Sequence, residues 1–261
     1  MVTEPRALHV EHFGSGPPLV LAHGFGGSAR NFRPQARAFA DRRTVWLYDA
    51  RGHARSPAPR ELAAYDTGAL VEDFATVAAR AGAEPVVGGL SLGAHTALAY
   101  ALASPVPPRG LVLAAFPSAA SDPKRAAWTQ SFADTIERDG LDAAGERYVW
   151  GETSRFDAKG AALIRQGFLE HDPFAMTAIL RRALSEVPTL DAIADQLARL
   201  KVPTLVLVGD NDLESLAPCR RLAALIPGAE LVEIAGAGHV VNLAAPQAFN
   251  AALAAFLARV A

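Results

Sequence analysis

The chain has 261 residues and a net charge of −2; apolar residues make up 51% and charged residues 20%, so there is ample material for a large packed core. A chain this close to neutrality, with no run of like charge, gives no electrostatic case for binding nucleic acid or an anionic membrane surface. No stretch reaches the about 18 apolar residues of a membrane span.

The N-terminus, Met1 to Arg6, lacks the basic start and apolar block of a secretion signal. The single cysteine, Cys219, excludes an intramolecular disulfide. A cytoplasmic location is the expectation. Four short apolar runs follow in chain order: Pro18–Ala22, Thr44–Tyr48, Pro85–Gly89 and Leu111–Ala115. Such runs suit strands buried on both faces of a parallel sheet. Helix-like stretches separate them, Ala69–Ala81 with Leu70, Phe74, Val77 and Ala78 on one face, and Leu92–Ala103. Strands alternating with helices predict an α/β fold with a doubly wound, mostly parallel sheet.

The rhythm changes after Phe116. From about Ser118 to Leu200 only helical patterns occur. Asp122-Pro123 and Asp172-Pro173 read as N-caps followed by proline in the first turn. Trp128, Phe132 and Ile136 fall on one stripe; Met176, Ile179, Leu180, Ala183 and Leu184 form another; Leu190, Ile193, Leu197 and Leu200 form a third. The sheet pattern returns at Thr204–Val208 and Glu230–Ile234, and Pro246–Val260 closes the chain as a helix. The expected organisation is an α/β core made of residues 1–117 and 201–261, interrupted by a helical cap over residues 118–200.

Gly89-Leu90-Ser91-Leu92-Gly93 matches G-x-S-x-G between an apolar strand and a helix, which singles out Ser91 as a nucleophile on a strained turn. His23-Gly24-Phe25-Gly26-Gly27 follows the first apolar strand, and flexible glycines let backbone approach a ligand closely. The backbone N–H groups of Phe25 and Leu92 are the candidate oxyanion donors. Gly209-Asp210-Asn211-Asp212 and Gly236-Ala237-Gly238-His239 each follow a strand, where an open parallel sheet gathers its chemistry. His239 is the candidate general base. Asp212 is preferred to Asp210 as its orienting acid, because two residues further into the loop it can turn back toward His239; Asp210 is expected to serve its own turn.

His53 and His95 read as structural, and His9, His12 and His171 have no supporting pattern. There is no H-E-x-x-H, no cysteine pair, no G-x-x-x-x-G-K-[ST] and no complete G-x-G-x-x-G, so neither a metal nor a cofactor is expected.

These segments resemble the α/β-hydrolase superfamily over nearly the whole chain outside the cap. The likeness rests on His23-Gly24-Phe25-Gly26, Asp49-Ala50-Arg51-Gly52-His53-Ala54-Arg55-Ser56, the Ser91 turn, Gly209-Asp210-Asn211-Asp212, and Gly238-His239 with Asn242-Leu243 and Pro246. It looks like the small bacterial branch of 3-oxoadipate enol-lactonases, carbon–carbon bond hydrolases and haloperoxidase-type esterases. The resemblance implies the fold, Asp212 as the acid, and donors following His-Gly and following the nucleophile. One departure is Ala94-His95, where many relatives have a second glycine.

The expected function is hydrolysis of an ester, lactone or thioester of a small to medium, mainly apolar molecule through a Ser-His-Asp triad and an acyl-enzyme on Ser91. Carbon–carbon cleavage next to a ketone by the same residues, or ligand binding without turnover, are the alternatives. Trp128, Phe132 and Trp150, with Phe156, Phe168 and Phe174, are candidates to roof the substrate pocket. Arg147, Arg155 and Arg165 are expected to be solvated rather than to hold a substrate carboxylate.

Overall fold

The computed structural model describes residues 7–151 and 158–260. The chain opens with strand β1 (Val10–Phe13), followed by β2 (Pro18–Ala22), a 3-10 turn and helix α1 (Arg33–Phe39). Next come β3 (Thr44–Tyr48), α2 (Thr67–Ala81), β4 (Val86–Leu90), α3 (Leu92–Ala103) and β5 (Gly110–Ala114). Among the described residues four α-helices follow without an intervening strand: α4 (Pro123–Gly145), α5 (Ala158–Leu169), α6 (Pro173–Arg181) and α7 (Ala194–Arg199). The chain returns to the sheet with β6 (Thr204–Gly209), α8 (Leu213–Leu225) and β7 (Glu230–Ile234), then ends in α9 (Val241–Ala244) and α10 (Pro246–Arg259).

The seven strands form one sheet in the order β1-β3-β2-β4-β5-β6-β7. Only β1 runs antiparallel, pairing Val10 with Tyr48 and Phe13 with Val45. The chain passes from β2 outward to β3 and then back across β2 to β4. The direction of winding therefore reverses at β2 and β4, and a crevice opens beyond their C-terminal ends. This α/β-hydrolase fold places His23-Gly24 and Ser91 on the two sides of that crevice.

Strand residues alternate between two apolar layers, because successive side chains point to opposite faces. Leu19, Leu21, Val45, Leu47 and Leu205 pack with Phe32 and Phe39 from one end of the chain and Phe249, Leu253 and Phe256 from α10. Val20, Val87, Leu111, Leu113 and Val206 pack with Phe74 and Val77 of α2, Ala97 and Leu98 of α3, and Leu222 of α8. Phe132, Ile136, Phe168, Met176, Ile179 and Leu180 of the inserted helices form a third cluster that reaches the sheet layer through Tyr65, Leu70 and Leu92. Among the described residues no helix is long and apolar enough to cross a membrane.

Asp122 and Asp172 act as N-caps: Asp122 accepts from the N–H groups of Lys124 and Arg125, and Asp172 from that of Ala175. The stripe through Leu190 to Leu200 is helical only over Ala194–Arg199. α4 kinks at Gly140, whose φ of 85° lies in the left-handed region, and then runs into a π-helical turn over Glu146–Trp150.

Candidate active site

Ser91 is the hinge between β4 and α3. Its φ of 54° is uncommon for a residue with a side chain, and its N–H is anchored to the Ala114 carbonyl at 2.8 Å. The turn closes only because its neighbours are glycines. A Cβ on Gly89 would stand 2.4 Å from the Gly93 carbonyl carbon, and one on Gly93 would stand 2.2 Å from the Ala22 carbonyl oxygen. Leu92 opens α3, so its N–H has no acceptor within its own helix. The helix dipole adds to the positive potential there.

Three histidines brace the loops after β2 and β3. His23 Nδ1 donates to the Gly24 carbonyl at 2.8 Å while its Nε2 accepts from the Ala50 N–H at 2.9 Å. His53 Nδ1 faces the Arg51 carbonyl at 3.1 Å, and its Nε2 accepts from the Gly26 N–H at 3.2 Å. His171, carried by the inserted helices, accepts from the Ala54 N–H at 3.0 Å. The His53 ring lies 4.7 Å from that of His23 and 5.1 Å from that of His171. Burial lowers the basicity of all three, holding His53 well below the usual histidine range and His171 down at about 4. They are neutral acceptors that fix backbone, and they carry no charge into the site at pH 7. His95, also expected to be structural, packs beside Phe116 with its Nε2 3.4 Å from Thr67 Oγ1, and burial pushes it down to about 4.

Asp212 and His239 come from loops after β6 and β7. Asp212 Oδ2 accepts from His239 Nδ1 at 2.8 Å, and Oδ1 caps α8 by accepting from the Ser215 N–H at 3.3 Å. Ser215 Oγ lies 3.3 Å from the same imidazole nitrogen. Burial opposes ionisation of Asp212, but the attraction of His239 and the bonds from His239 and Ser215 outweigh it, so its pKa is lowered. Asp210 faces elsewhere: its Oδ1 accepts from the Gly236 N–H at 2.8 Å, tying the β6 loop to the β7 loop rather than closing its own turn. The Nδ1–H donated to Asp212 holds the imidazole in the tautomer whose Nε2 is the proton-accepting nitrogen.

Ser91, Asp212 and His239 border one cavity of about 880 Å³, counting its open mouth, together with Gly24, Phe25 and Trp128. Phe132 and Trp150 do not border it. Phe132 sits one turn beyond Trp128 but is 1% exposed, stacked 4.7 Å from Tyr148 and 6.0 Å from Phe168. Trp150 lies edge-on to Phe168 at 5.7 Å. Both belong to the packing behind the wall, where rings of α4, α5 and the Glu146–Trp150 turn meet one another rather than the crevice. Phe168 is buried in that packing, and Phe174 lies outside it against Tyr65 and the Arg60 guanidinium. Phe156 and Arg155 fall outside the described residues.

Arg165 pairs loosely with Asp142 at 3.7 Å at the surface, and the Arg147 guanidinium lies over the Tyr148 ring. Ile164, Leu184, Arg125 and Glu214 also line the cavity, and sequence reasoning did not mark any of them as a site residue, reading Leu184 only as part of an apolar stripe. Among the described residues no group of three or more histidine, cysteine or acidic side chains is arranged to hold a metal ion.

Residues 19–252 match the model of the alpha/beta hydrolase family. The chain is 33% identical to a pimeloyl-[acyl-carrier protein] methyl ester esterase from Stenotrophomonas maltophilia, over 96% of each protein. Among solved structures it is similar to a thermophilic esterase from Thermogutta terrifontis (TM-score 0.83, 28% identity, 97% of this chain and 93% of that one). It is also similar to the enol-lactonase from Burkholderia xenovorans LB400 (TM-score 0.81, 26% identity, 96% of each chain).

Proposed function

The chain belongs to the alpha/beta hydrolase family and is a hydrolytic enzyme, and from that premise we propose that it cleaves ester-type bonds of a small molecule with Ser91 as nucleophile, His239 as base and Asp212 as orienting acid. The observation that carries the reading is the 2.8 Å bond between the buried Asp212 and His239, on the wall of the cavity that also holds the strained Ser91. His239 Nε2 takes the Ser91 proton as Oγ adds to the carbonyl carbon. The oxyanion that forms is met by the N–H groups of Phe25 and Leu92. Collapse expels the alcohol, which receives the proton from His239 and leaves an acyl group on Ser91. A water deprotonated by His239 then adds to that acyl carbon and releases the acid. The helices between β5 and β6 act as a cap over this chemistry, with Trp128 as the wall aromatic.

A fluorophosphonate probe tests the assignment. Wild-type protein is expected to be labelled at Ser91 and to lose activity on 4-nitrophenyl butyrate, and Ser91→Ala to lose both. Full esterase activity in Ser91→Ala overturns the reading.

A further inference from the structure

Arg125 is the one lysine or arginine among the described residues that line the active-site cavity. It sits in the first turn of α4, where its own N–H is consumed by the Asp122 cap at 3.2 Å. Its guanidinium lies over Trp128, 4.8 Å from the ring centroid. Its Nε is buried and meets no hydrogen-bond partner. No carboxylate of the described residues comes within ion-pair distance of it. Arg51 pairs with Asp73 at 2.6 Å, Arg33 with Glu11 at 2.6 Å and Arg181 with Glu137 at 2.7 Å, while Arg43, buried away from the cavity, gives its Nη2 to the Leu257 carbonyl. Asp212, a carboxylate on the same wall, is engaged by His239. Burial lowers the proton affinity of Arg125 to about 10, with Glu214 and Asp122 favouring its charge, so it remains a cation at neutral pH.

A half-buried guanidinium seated on an aromatic face at the cavity wall can offer its terminal Nη donors, which no described carboxylate engages, to a planar oxyanion. A bound carboxylate supplies the acceptors that the protein does not. We propose that Arg125 determines specificity by receiving a carboxylate on the substrate, so that the preferred esters carry an acid group away from the bond being cleaved. This rests on the ester-hydrolase reading above and narrows its substrate class from mainly apolar to amphipathic and anionic.

The test compares matched pairs of esters. One pair places the acid in the acyl part, mono-4-nitrophenyl glutarate against 4-nitrophenyl pentanoate. The other places it in the leaving group, 3-(butanoyloxy)benzoate against phenyl butanoate. In Arg125→Gln the ratio of kcat/KM for the acidic over the neutral member is expected to fall about 10–100-fold in one of the two pairs, chiefly through KM. Arg125→Lys, which keeps the charge and loses the fork, is expected to fall in between. Using a ratio within each variant removes any loss from imperfect folding. Equal losses on acidic and neutral members in both pairs overturn the proposal and leave Arg125 as a packing partner of Trp128.

Calorimetric titration of wild type and Arg125→Gln with glutarate separates this idea from the catalytic one. Glutarate binding that depends on Arg125, with no ester cleaved, sinks the hydrolase reading and keeps the anion site. Esters cleaved with no Arg125-dependent preference in either pair do the reverse.

Discussion

Asp212→Asn separates the chemistry of the site from its architecture. Asp212 does two things: it accepts from His239 Nδ1 at 2.8 Å, and it caps α8 through the Ser215 N–H. Asparagine keeps the shape and caps a helix about as well as aspartate. The lost charge at the helix N-terminus costs about 0.3–1 kcal/mol, and the relief of burying a carboxylate offsets part of that. The expected change in stability is therefore under about 1 kcal/mol, or roughly 2–4 °C in Tm for a chain of this length. Catalysis faces a different term. An asparagine amide facing Nδ1 donates to it, which moves the imidazole proton to Nε2 and removes the base that Ser91 needs. The imidazolium formed during attack also loses its counter-charge. Together these lower kcat about 10³–10⁴-fold, or roughly 4–5.5 kcal/mol in the barrier. The assay is kcat on 4-nitrophenyl butyrate beside thermal unfolding of the same preparation. Asp210→Asn is the control, because that carboxylate meets Gly236 and not His239. A well-folded Asp212→Asn protein with kcat within tenfold of wild type, or an equal loss in Asp210→Asn, refutes the assignment.

Gly93→Ala is expected to prevent folding or to cost more than about 3 kcal/mol despite alanine's better helix propensity, since its methyl meets the Ala22 carbonyl at 2.2 Å; urea unfolding reads the loss. His95 is held at about 4 in the fold against 6.5 free. The unfolded chain therefore binds the extra proton first. The His95 contribution is intact above pH 6.5, falls as pH drops toward 4, and totals about 3 kcal/mol by order of magnitude. His95→Leu is expected to flatten the slope of stability against pH across that window, and an unchanged slope counts against neutral burial. Trp150→Phe removes an indole N–H that is buried without a partner and does not touch the cavity, so stability is expected to change by under about 1 kcal/mol and KM by less than twofold; a large KM rise would put Trp150 in the pocket wall.

The strands were legible wherever apolar residues dominate their run. Pro18–Ala22 and Thr44–Tyr48 run as their composition predicts, as does the half-exposed edge strand Glu230–Ile234 through Leu231, Val232 and Ile234, and Val86–Leu90 and Gly110–Ala114 are each displaced by one residue. β1 escaped because Val10-Glu11-His12-Phe13 lies half-buried at an antiparallel edge and shows no apolar run. α8 escaped because Pro218 interrupts its pattern, although the helix continues through it. Ser91, Asp212 and His239 announce themselves because each follows a strand end by only a few residues with a glycine close by, so local sequence carries their placement.

The pocket wall follows a different rule. Trp128 and Phe132 occupy the same stripe of α4, yet one borders the cavity and the other is locked between Tyr148 and Phe168. What distinguishes them is which neighbour lies opposite, and those neighbours come from later in the chain. Arg125 gives an even weaker signal: in sequence it is a basic residue beside Lys124 near a helix start, where solvent exposure is the ordinary outcome. Its lack of a carboxylate within ion-pair distance, with Glu214 and Asp122 acting only from further away, exists only after α4 has packed. The proposed catalytic residues, fixed to the sheet edge, are thus written in short motifs. Substrate preference, which depends on how inserted helices meet that edge, is written in contacts between segments tens of residues apart, and Arg125 is the residue where those contacts leave a charge for the substrate to answer.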